Sequence, residues 1–383
     1  MLSLAGCLPA APPPAAPIRP PDHLVLHAVD FSDLPDWGDD HQSAAVAALL
    51  RSCAQRLRAS DAAAVGPGGI AGHVADWRAP CDAATRLPMG DDAAARAFFA
   101  AWFRPYRCGN NDEAEGLFTG YYEPELTGAR RRAPPFETPL LRRPPDLVQV
   151  DLGDFRPELR GQRIAGKVVD GRLKPYATRA EIEAGALDLL HLELFWVDDP
   201  VGAFFLEIQG SGRIRLRDGS EVRVGYDGQN GWPYVAIGRV LVERHFLEKE
   251  SATLPGIRAW LAAHPKQAKS ILDANPSYVF FREVRGDGPI GAEGAVLTPR
   301  RSLAVDTKFL PLGAPLWLDI RDENGAPLRR LMIAQDTGGA IRGPVRGDFF
   351  WGHGSEAEAR AGTMRARGGY YLLLPKTVAA PTS

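Results

Sequence analysis

Three aspartates in the last quarter of the 383-residue chain stand where glycine or proline leaves a short side chain at a surface. They are Asp306 in SLAVDTKFLPLG, Asp336 in LMIAQDTGGAIRGPV and Asp348 in VRGDFFWGHG. Each follows or flanks an apolar run that reads as a strand. A carboxylate at a strand end, beside glycines that let a ligand approach the backbone, is a construction suited to acid–base chemistry. Most Asp-Gly segments are solvated turns or helix caps. Three of them in one short region, with nothing comparable elsewhere, favour a site. His353, between Gly352 and Gly354, suggests a metal ligand beside Asp336 and Asp348, but no second histidine is close and neither CxxC nor HExxH occurs. No metal and no organic cofactor are therefore expected.

The elements that must hold these carboxylates are read from periodicity. Residues 22–115 look mainly helical, with Ala47, Leu50, Cys53 and Leu57 on one stripe and a second, aromatic stripe over 93–103 that ends at Pro105. Both stripes are expected to be core. From Gly116 the chain reads as strands: LFTGYYEPEL, TPLLRR, then FFLEIQGSGRIRLRDGSEVRVGY. In the last of these, Ile208, Ile214, Leu216, Val222 and Val224 alternate about an Asp218-Gly219 turn, a hairpin pattern. A helix is predicted to open at Pro233 and run through VAIGRVLVERHFLEKE, followed by helices over 257–263 and 266–274. Strands return in YVFFREV, GAVLT, PLWLDI and RRLMIAQD. A last helix is predicted from Ser355, with Glu358 completing a capping box, to Gly368-Gly369, before a closing strand YYLLLP. The proline-rich RRAPPF and RRPPD read as loop or linker between two β domains.

Composition bounds the rest. The length argues for two domains plus tails, and 45% hydrophobic with 24% charged residues describes an ordinary globular protein. A net charge of -2 lacks the basic surplus that phosphate contacts need, so no nucleic acid is expected as a partner. No apolar run approaches the roughly 20 residues of a spanning helix. Leu4-Ala5-Gly6-Cys7 reads as a bacterial lipobox with Cys7 as the lipidated residue, followed over residues 9–21 by a proline-rich tether. Little precedes the cysteine that resembles a signal, so a truncated leader is expected. Of the remaining cysteines, an exported chain permits a Cys53–Cys81 disulfide with Cys108 unpaired.

The segments FTGYYEPEL, FLEIQGSGRIRL, GYDGQNGWPYVAIGRVL, NPSYVFF and QDTGGAIRGPVRGDFFWG, in this order, resemble the MltA family of membrane-bound lytic transglycosylases. The C-terminal part resembles the 3D domain, named for three aspartates. The resemblance implies a mainly β protein with helical additions: a double-psi β-barrel domain split in sequence over 22–124 and 276–376, with a smaller β-barrel domain inserted over 125–275. Residues 1–21 would be signal remnant and tether, and 377–383 a tail. It implies a peptidoglycan groove between the domains and cleavage of the MurNAc–GlcNAc β-1,4 bond without water, leaving 1,6-anhydromuramyl ends. Carried over position by position, the acid/base falls on Asp348, a supporting carboxylate on Asp336, and a structural or orienting one on Asp306. Thr119, Gly120, Tyr121 and Tyr122 of FTGYY, and Gln209, Gly210, Ser211 and Gly212 of QGSG, match groove-lining segments. Trp232 reads as a groove wall or as part of the staple of the following helix. The resemblance also implies a lipoprotein on the periplasmic face of a Gram-negative outer membrane that acts on peptidoglycan glycan strands; a monomer is expected, and the sequence leaves open whether cell-wall synthesis or division proteins are partners.

Such a cleavage needs one carboxyl that gives a proton to the glycosidic oxygen and takes one from the C6 hydroxyl of the same MurNAc. Asp348 then requires a raised pKa, to which like-charge repulsion from Asp336 and desolvation by Phe349, Phe350 and Trp351 would contribute. Of Tyr121 and Tyr122, which alternate across a strand, one would stack on a sugar and the other fill the core. Three other readings fit parts of the sequence: a hydrolytic muramidase, a non-catalytic wall-binding barrel, and an aspartic protease built on Asp336-Thr337-Gly338, which would need a second such aspartate.

Overall fold

The computed structural model describes residues 20–159, 162–286, 288–322 and 324–379. Cys7 and most of the proline-rich stretch lie outside them. Strand β1 (Leu24–Ala28) precedes helices α1 (Ser43–Arg56), α2 (Val74–Ala84) and α3 (Asp92–Trp102), then β2 (Phe103–Asn110) and β3 (Gly116–Glu123). A long excursion follows: β4 (Glu125–Ala129), β5 (Thr138–Leu141), β6 (Val148–Asp151), β7 (Arg163–Val169), β8 (Arg172–Pro175), the single turn α4 (Arg179–Glu181), β9 (Glu193–Val197), α5 (Pro200–Gln209), β10 (Ser211–Leu216), β11 (Glu221–Gln229), α6 (Ile237–Glu243), α7 (Leu254–Ala263), α8 (Pro265–Leu272) and β12 (Val279–Val284). The chain then returns with β13 (Ser302–Val305), β14 (Pro315–Arg321), β15 (Pro327–Asp336), β16 (Arg346–His353), α9 (Gly354–Thr363) and β17 (Arg365–Pro375).

The first and last segments share one sheet in the order β1-β2-β17-β14-β15-β13-β16-β3, and a further β17–β3 pairing closes six of these strands into a barrel. The pairs β13–β15 and β16–β3 run parallel within an otherwise antiparallel set, giving the mainly β, split-barrel architecture. Leu303, Leu316 and Phe349 share one face of the barrel wall and Trp317 and Ile333 the other, and both faces are buried in one core with residues of α1, α2 and α3. The excursion builds its own six-stranded sheet, β12-β11-β10-β4-β9-β5, whose edge strands β12 and β5 come into contact, together with a three-stranded arm, β6-β7-β8. Its separate cores identify it as an inserted unit. A Cys53–Cys81 disulfide with Cα atoms 5.8 Å apart staples α1 to α2, and Cys108 is free and buried.

Several local expectations are corrected. The buried stripe of α1 is Ala45, Ala48, Leu49, Ser52 and Cys53; Ala47 is exposed, and Leu50 and Leu57 are only half-buried. FFLEIQ is helical, not a strand: α5 is buried from Gly202 to Glu207 and so shows no polar face to betray its period. Its helix signals were Pro200 at the first turn and Gly210, which takes the left-handed cap at φ 76°. α6 opens at Ile237 rather than Pro233, because Val235 N–H is held by Asn275 Oδ1 and Trp232 Nε1 by the Tyr176 carbonyl, which keep 230–236 extended. GAVLT forms only an isolated bridge, Ile290 to Val296. The last helix stops at Thr363, and its N-cap makes no side-chain bond. Gly368, at φ 144°, instead lets β17 cross β14, where a Cβ would stand 2.3 Å from the Asp319 carbonyl oxygen. RRAPPF and RRPPD join β4 to β5 and β5 to β6, inside the insert and not between domains.

Candidate active site

Strands β15, β13, β16 and β3 lie side by side in that order, and their register ranks Asp336, Ala304, Asp348 and Thr119 across the sheet. The two carboxylates are thus two strand spacings apart, about 9.5 Å between backbones, with a methyl group between them. A register shift between Leu303 and Ala304 brings Asp336 into this row by skipping Gln335. The skipped side chain is fully buried, donating to the Ala48 carbonyl at 3.0 Å and Ser52 Oγ at 2.9 Å and accepting from Ser302 Oγ at 2.6 Å. Helix α1 therefore holds the bulge that aims Asp336.

The surroundings of the two carboxylates differ. Asp336 Oδ1 accepts the N–H groups of Ala292 and Thr337, both at 2.9 Å, and its Oδ2 accepts the Tyr121 hydroxyl at 3.0 Å. Burial pushes its pKa up and these three donors pull it back. Asp348 Oδ1 accepts the Thr119 hydroxyl at 2.6 Å, the one hydrogen bond to this carboxylate among the described residues. Its pKa is pushed up to about 6, first by burial. Arg346 and the Thr119 hydroxyl oppose that rise, and the charge of Asp336 adds the smallest contribution. The raised pKa thus has desolvation as its main cause and carboxylate repulsion as a minor one.

Of the three aromatics beside Asp348, only Phe350 shares its face, packed with Tyr121, Leu297, Ala304 and Ile341. Phe349 points into the barrel core, with the Trp351 ring 4.6 Å from its own. Tyr121 and Tyr122 are both buried, at 9% and 3% exposure, so neither offers an open ring to a sugar. Tyr121 instead spans from β3 to Asp336, and Tyr122 turns to the other side, where its hydroxyl donates to Glu358 Oε1 of α9 at 3.0 Å. Gly120 lets α9 pack on β3: a Cβ there would stand 2.7 Å from Trp351 Nε1 and 2.9 Å from Ala361 Cα.

Among the described residues none of the remaining sequence candidates hydrogen-bonds Asp348. Asp306, at 2% exposure, accepts N–H groups from Lys308 at 3.0 Å and Gly343 at 2.8 Å, so it ties the loop after Asp336 to the end of β13. Gln209 Oε1 accepts the Tyr122 N–H at 3.2 Å, joining the insert to the barrel. Gly212 is required by packing, since a Cβ would come within 2.2 Å of Leu206 Cδ1. Ser211 lines a small recess with Glu123, Arg223 and Tyr226. Trp232 is held within the insert by its 2.8 Å bond to Tyr176. His353 Nδ1 lies 2.9 Å from Glu125 Oε1, a link between β16 and the first strand of the insert.

One residue the motif reading missed is Arg346, whose Nη2 donates to Thr119 Oγ1 at 2.8 Å. It lies two residues before Asp348 on a strand, and that i, i+2 spacing is the signal that places both on one face. A cleft of about 780 Å³ separates barrel from insert, lined by Arg56, Lys308 and Pro311 on one side and by Glu158 and Gln162 on the other. Thr307, directly after Asp306, lines it, whereas Asp348, Asp336 and Thr119 do not.

Comparison with known proteins gives a consistent set of likenesses. Residues 117–282 match the MltA specific insert domain and residues 301–374 the 3D domain. The chain is 32% identical over 273 residues to membrane-bound lytic murein transglycosylase A of Vibrio cholerae, an alignment covering 69% of this chain and 67% of that protein. It superposes on the crystal structure of a membrane-bound lytic murein transglycosylase from Agrobacterium tumefaciens with a TM-score of 0.81 and 34% identity, covering 92% of this chain and 98% of that one. Escherichia coli MltA with bound chitohexaose matches with a TM-score of 0.60 at 29% identity, over 79% of this chain and 83% of that one.

Proposed function

Because the chain belongs to the MltA family, with a C-terminal 3D domain, we propose that it is a peptidoglycan lytic transglycosylase in which Asp348 is both acid and base. The observation that carries this reading is the contrast between the two carboxylates. Both oxygens of Asp336 are engaged by protein donors, whereas Asp348 keeps one oxygen free of donors from the described residues and a pKa close to the range where a group can give and reclaim a proton. A hydrolase needs a second carboxylate able to activate water or attack carbon. Asp336, saturated by three donors, is poorly suited to that task, which favours the route without water.

In this reading neutral Asp348 protonates the oxygen between MurNAc and GlcNAc as the anomeric carbon gains positive charge. The C–O bond breaks and GlcNAc leaves with the proton. Asp348, now anionic, takes the proton of the C6 hydroxyl on the same MurNAc, and O6 closes on the anomeric carbon to give the 1,6-anhydro ring. Asp348 ends neutral, ready for the next bond. The nucleophile belongs to the substrate, so its high effective concentration replaces a bound water. Asp336, held close by through its three donors, lies beside the cationic sugar. The chitohexaose complex of the Escherichia coli relative supports a glycan ligand.

Among the described residues no helix is long and apolar enough to cross a membrane. Since relatives are named membrane-bound, we infer attachment through an acylated Cys7 at the periplasmic face of the outer membrane.

Digestion of purified murein sacculi tests the assignment. The native protein is expected to release anhydro-ended muropeptides, and Asp348→Asn to release none while melting as a folded protein. Reducing MurNAc ends would identify a hydrolase, and activity in Asp348→Asn would remove Asp348 from the role.

A further inference from the structure

The hydrogens along Arg346, Thr119 and Asp348 can be placed by counting donors. Arg346 Nη2 stands 2.8 Å from Thr119 Oγ1, which stands 2.6 Å from Asp348 Oδ1. A guanidinium has donors and no acceptor, so Thr119 accepts at the first contact. Among the described residues Asp348 Oδ1 is the one acceptor within reach of the hydroxyl hydrogen, so Thr119 donates there. That oxygen is an acceptor whether Asp348 is neutral or charged. We propose that Arg346 and Thr119 are positioning residues for the transglycosylase reaction, confining the transferable proton to Oδ2 of Asp348 and holding a cation one hydroxyl away from it.

The inference rests on the assignment of Asp348 above and concerns how that carboxyl is tuned. The register makes the arrangement possible: Thr119 lies directly opposite Asp348 across parallel strands, and Arg346 lies two residues upstream on the same face. Arg346 is fixed in place by donating to the Leu117 carbonyl at 3.2 Å and to the Gly347 carbonyl. The other groups facing Asp348 leave the tuning to this relay. From β3, Tyr121 directs its hydroxyl to Asp336. From β15 comes Asp336 itself, and from β13 only the methyl group of Ala304.

Burial alone would hold the proton too firmly for Asp348 to serve later as a base, and a direct arginine fork would hold the carboxylate too firmly for it to serve first as an acid. An arginine acting through a hydroxyl gives an intermediate pull. The same hydroxyl prevents the proton from resting on the oxygen turned towards β3, where it could not reach the glycosidic bond.

The test uses the full chain on soluble, uncrosslinked glycan strands, with kcat, KM and the pH dependence of kcat/KM measured by chromatography of anhydro-ended products. Thr119→Val removes the hydroxyl with little change of shape. It is expected to lower kcat by about 10- to 100-fold, the lower range for a mispositioned acid–base group, with KM nearly unchanged. Thr119→Ser is expected to recover most of that loss. Arg346→Met removes the cation and is expected to move the alkaline limb of kcat/KM upward by about one pH unit, because the neutral form of Asp348 then persists to higher pH. Native kcat and an unmoved limb in both Thr119→Val and Arg346→Met would overturn the proposal, as would Thr119→Ser as slow as Thr119→Val. Thermal melts accompany each variant, and if one of the two does not fold, the pH limb of the other decides. Activity in Asp348→Asn would overturn the catalytic assignment instead, a separate outcome.

Discussion

Glu207 of the insert and Asp348 of the barrel are both carboxylates taken out of water near an arginine, and the fold treats them in opposite ways. Glu207, at 7% exposure, receives both arms of Arg179 at 2.7 and 3.1 Å and the Val279 N–H at 2.9 Å. The barrel builds the same fork where it only has to hold itself together: Arg301 grips Asp40 at 2.6 and 2.9 Å. At Asp348 the arginine is present but a threonine hydroxyl stands between. A complete fork commits both oxygens to the fold. The interposed hydroxyl leaves one oxygen for a substrate and a proton that can move.

The contrast is broken first at the insert. Replacing Arg179 with Met strands a buried carboxylate and is expected to cost about 3–5 kcal/mol, read from the urea midpoint. A loss below about 1 kcal/mol, the scale of an exposed pair, would show that the fork is not structural.

Asp348→Asn should act in the other direction. The folded pKa of Asp348 is raised from 3.8 to about 6, so folding favours the neutral form. Its contribution to stability is therefore full below about pH 4 and lost as pH rises through about 6. At pH 8 the Asn variant is expected to be more stable than the native protein by about 1–2 kcal/mol, with the gap closing at pH 4. A variant less stable at pH 8 would mean that the carboxylate is paired after all.

The same ionisation should shape turnover in the native protein, with kcat/KM falling above a midpoint near pH 6, where the acid is lost. A profile flat from pH 5 to 8 would exclude Asp348 as the titrating acid. Tyr121→Phe frees one oxygen of Asp336 and sharpens the comparison between the two carboxylates. Loss of a hydrogen bond worth about 1 kcal/mol predicts roughly a fivefold fall in kcat. The smallest effect is expected at His353→Ala, where an exposed pair with Glu125 is lost and stability changes by less than about 1 kcal/mol.

How much of this was legible in the sequence depended on whether the signal was local. The apolar run ending at Asp336 gave its strand, because such a run is a property of a few neighbouring residues. FFLEIQ was misread because a helix buried on every side loses the polar face that marks its period. FTGYY was recognised, yet its members divide by strand parity: Thr119 and Tyr121 face the carboxylates, while Gly120 and Tyr122 face α9. QGSG was legible as a segment, but not that Gly210 caps α5 and that Gly212 makes room for Leu206 and the Pro124 carbonyl.

The amino-acid sequence determined which residue types were available for acid–base chemistry and, through a family-specific order of segments, the barrel and insert that carry them. It could not determine which carboxylate would be saturated and which left open. That choice depends on register: a skipped residue in β15 that aims Asp336 at three donors, and a parallel pairing that sets Thr119 opposite Asp348 with Arg346 behind it. Thr119 and Asp348 are 229 residues apart in the chain. No local pattern encodes a hydrogen bond of that reach. It exists only once the sheet has closed and excluded the water that would otherwise have made the two carboxylates alike.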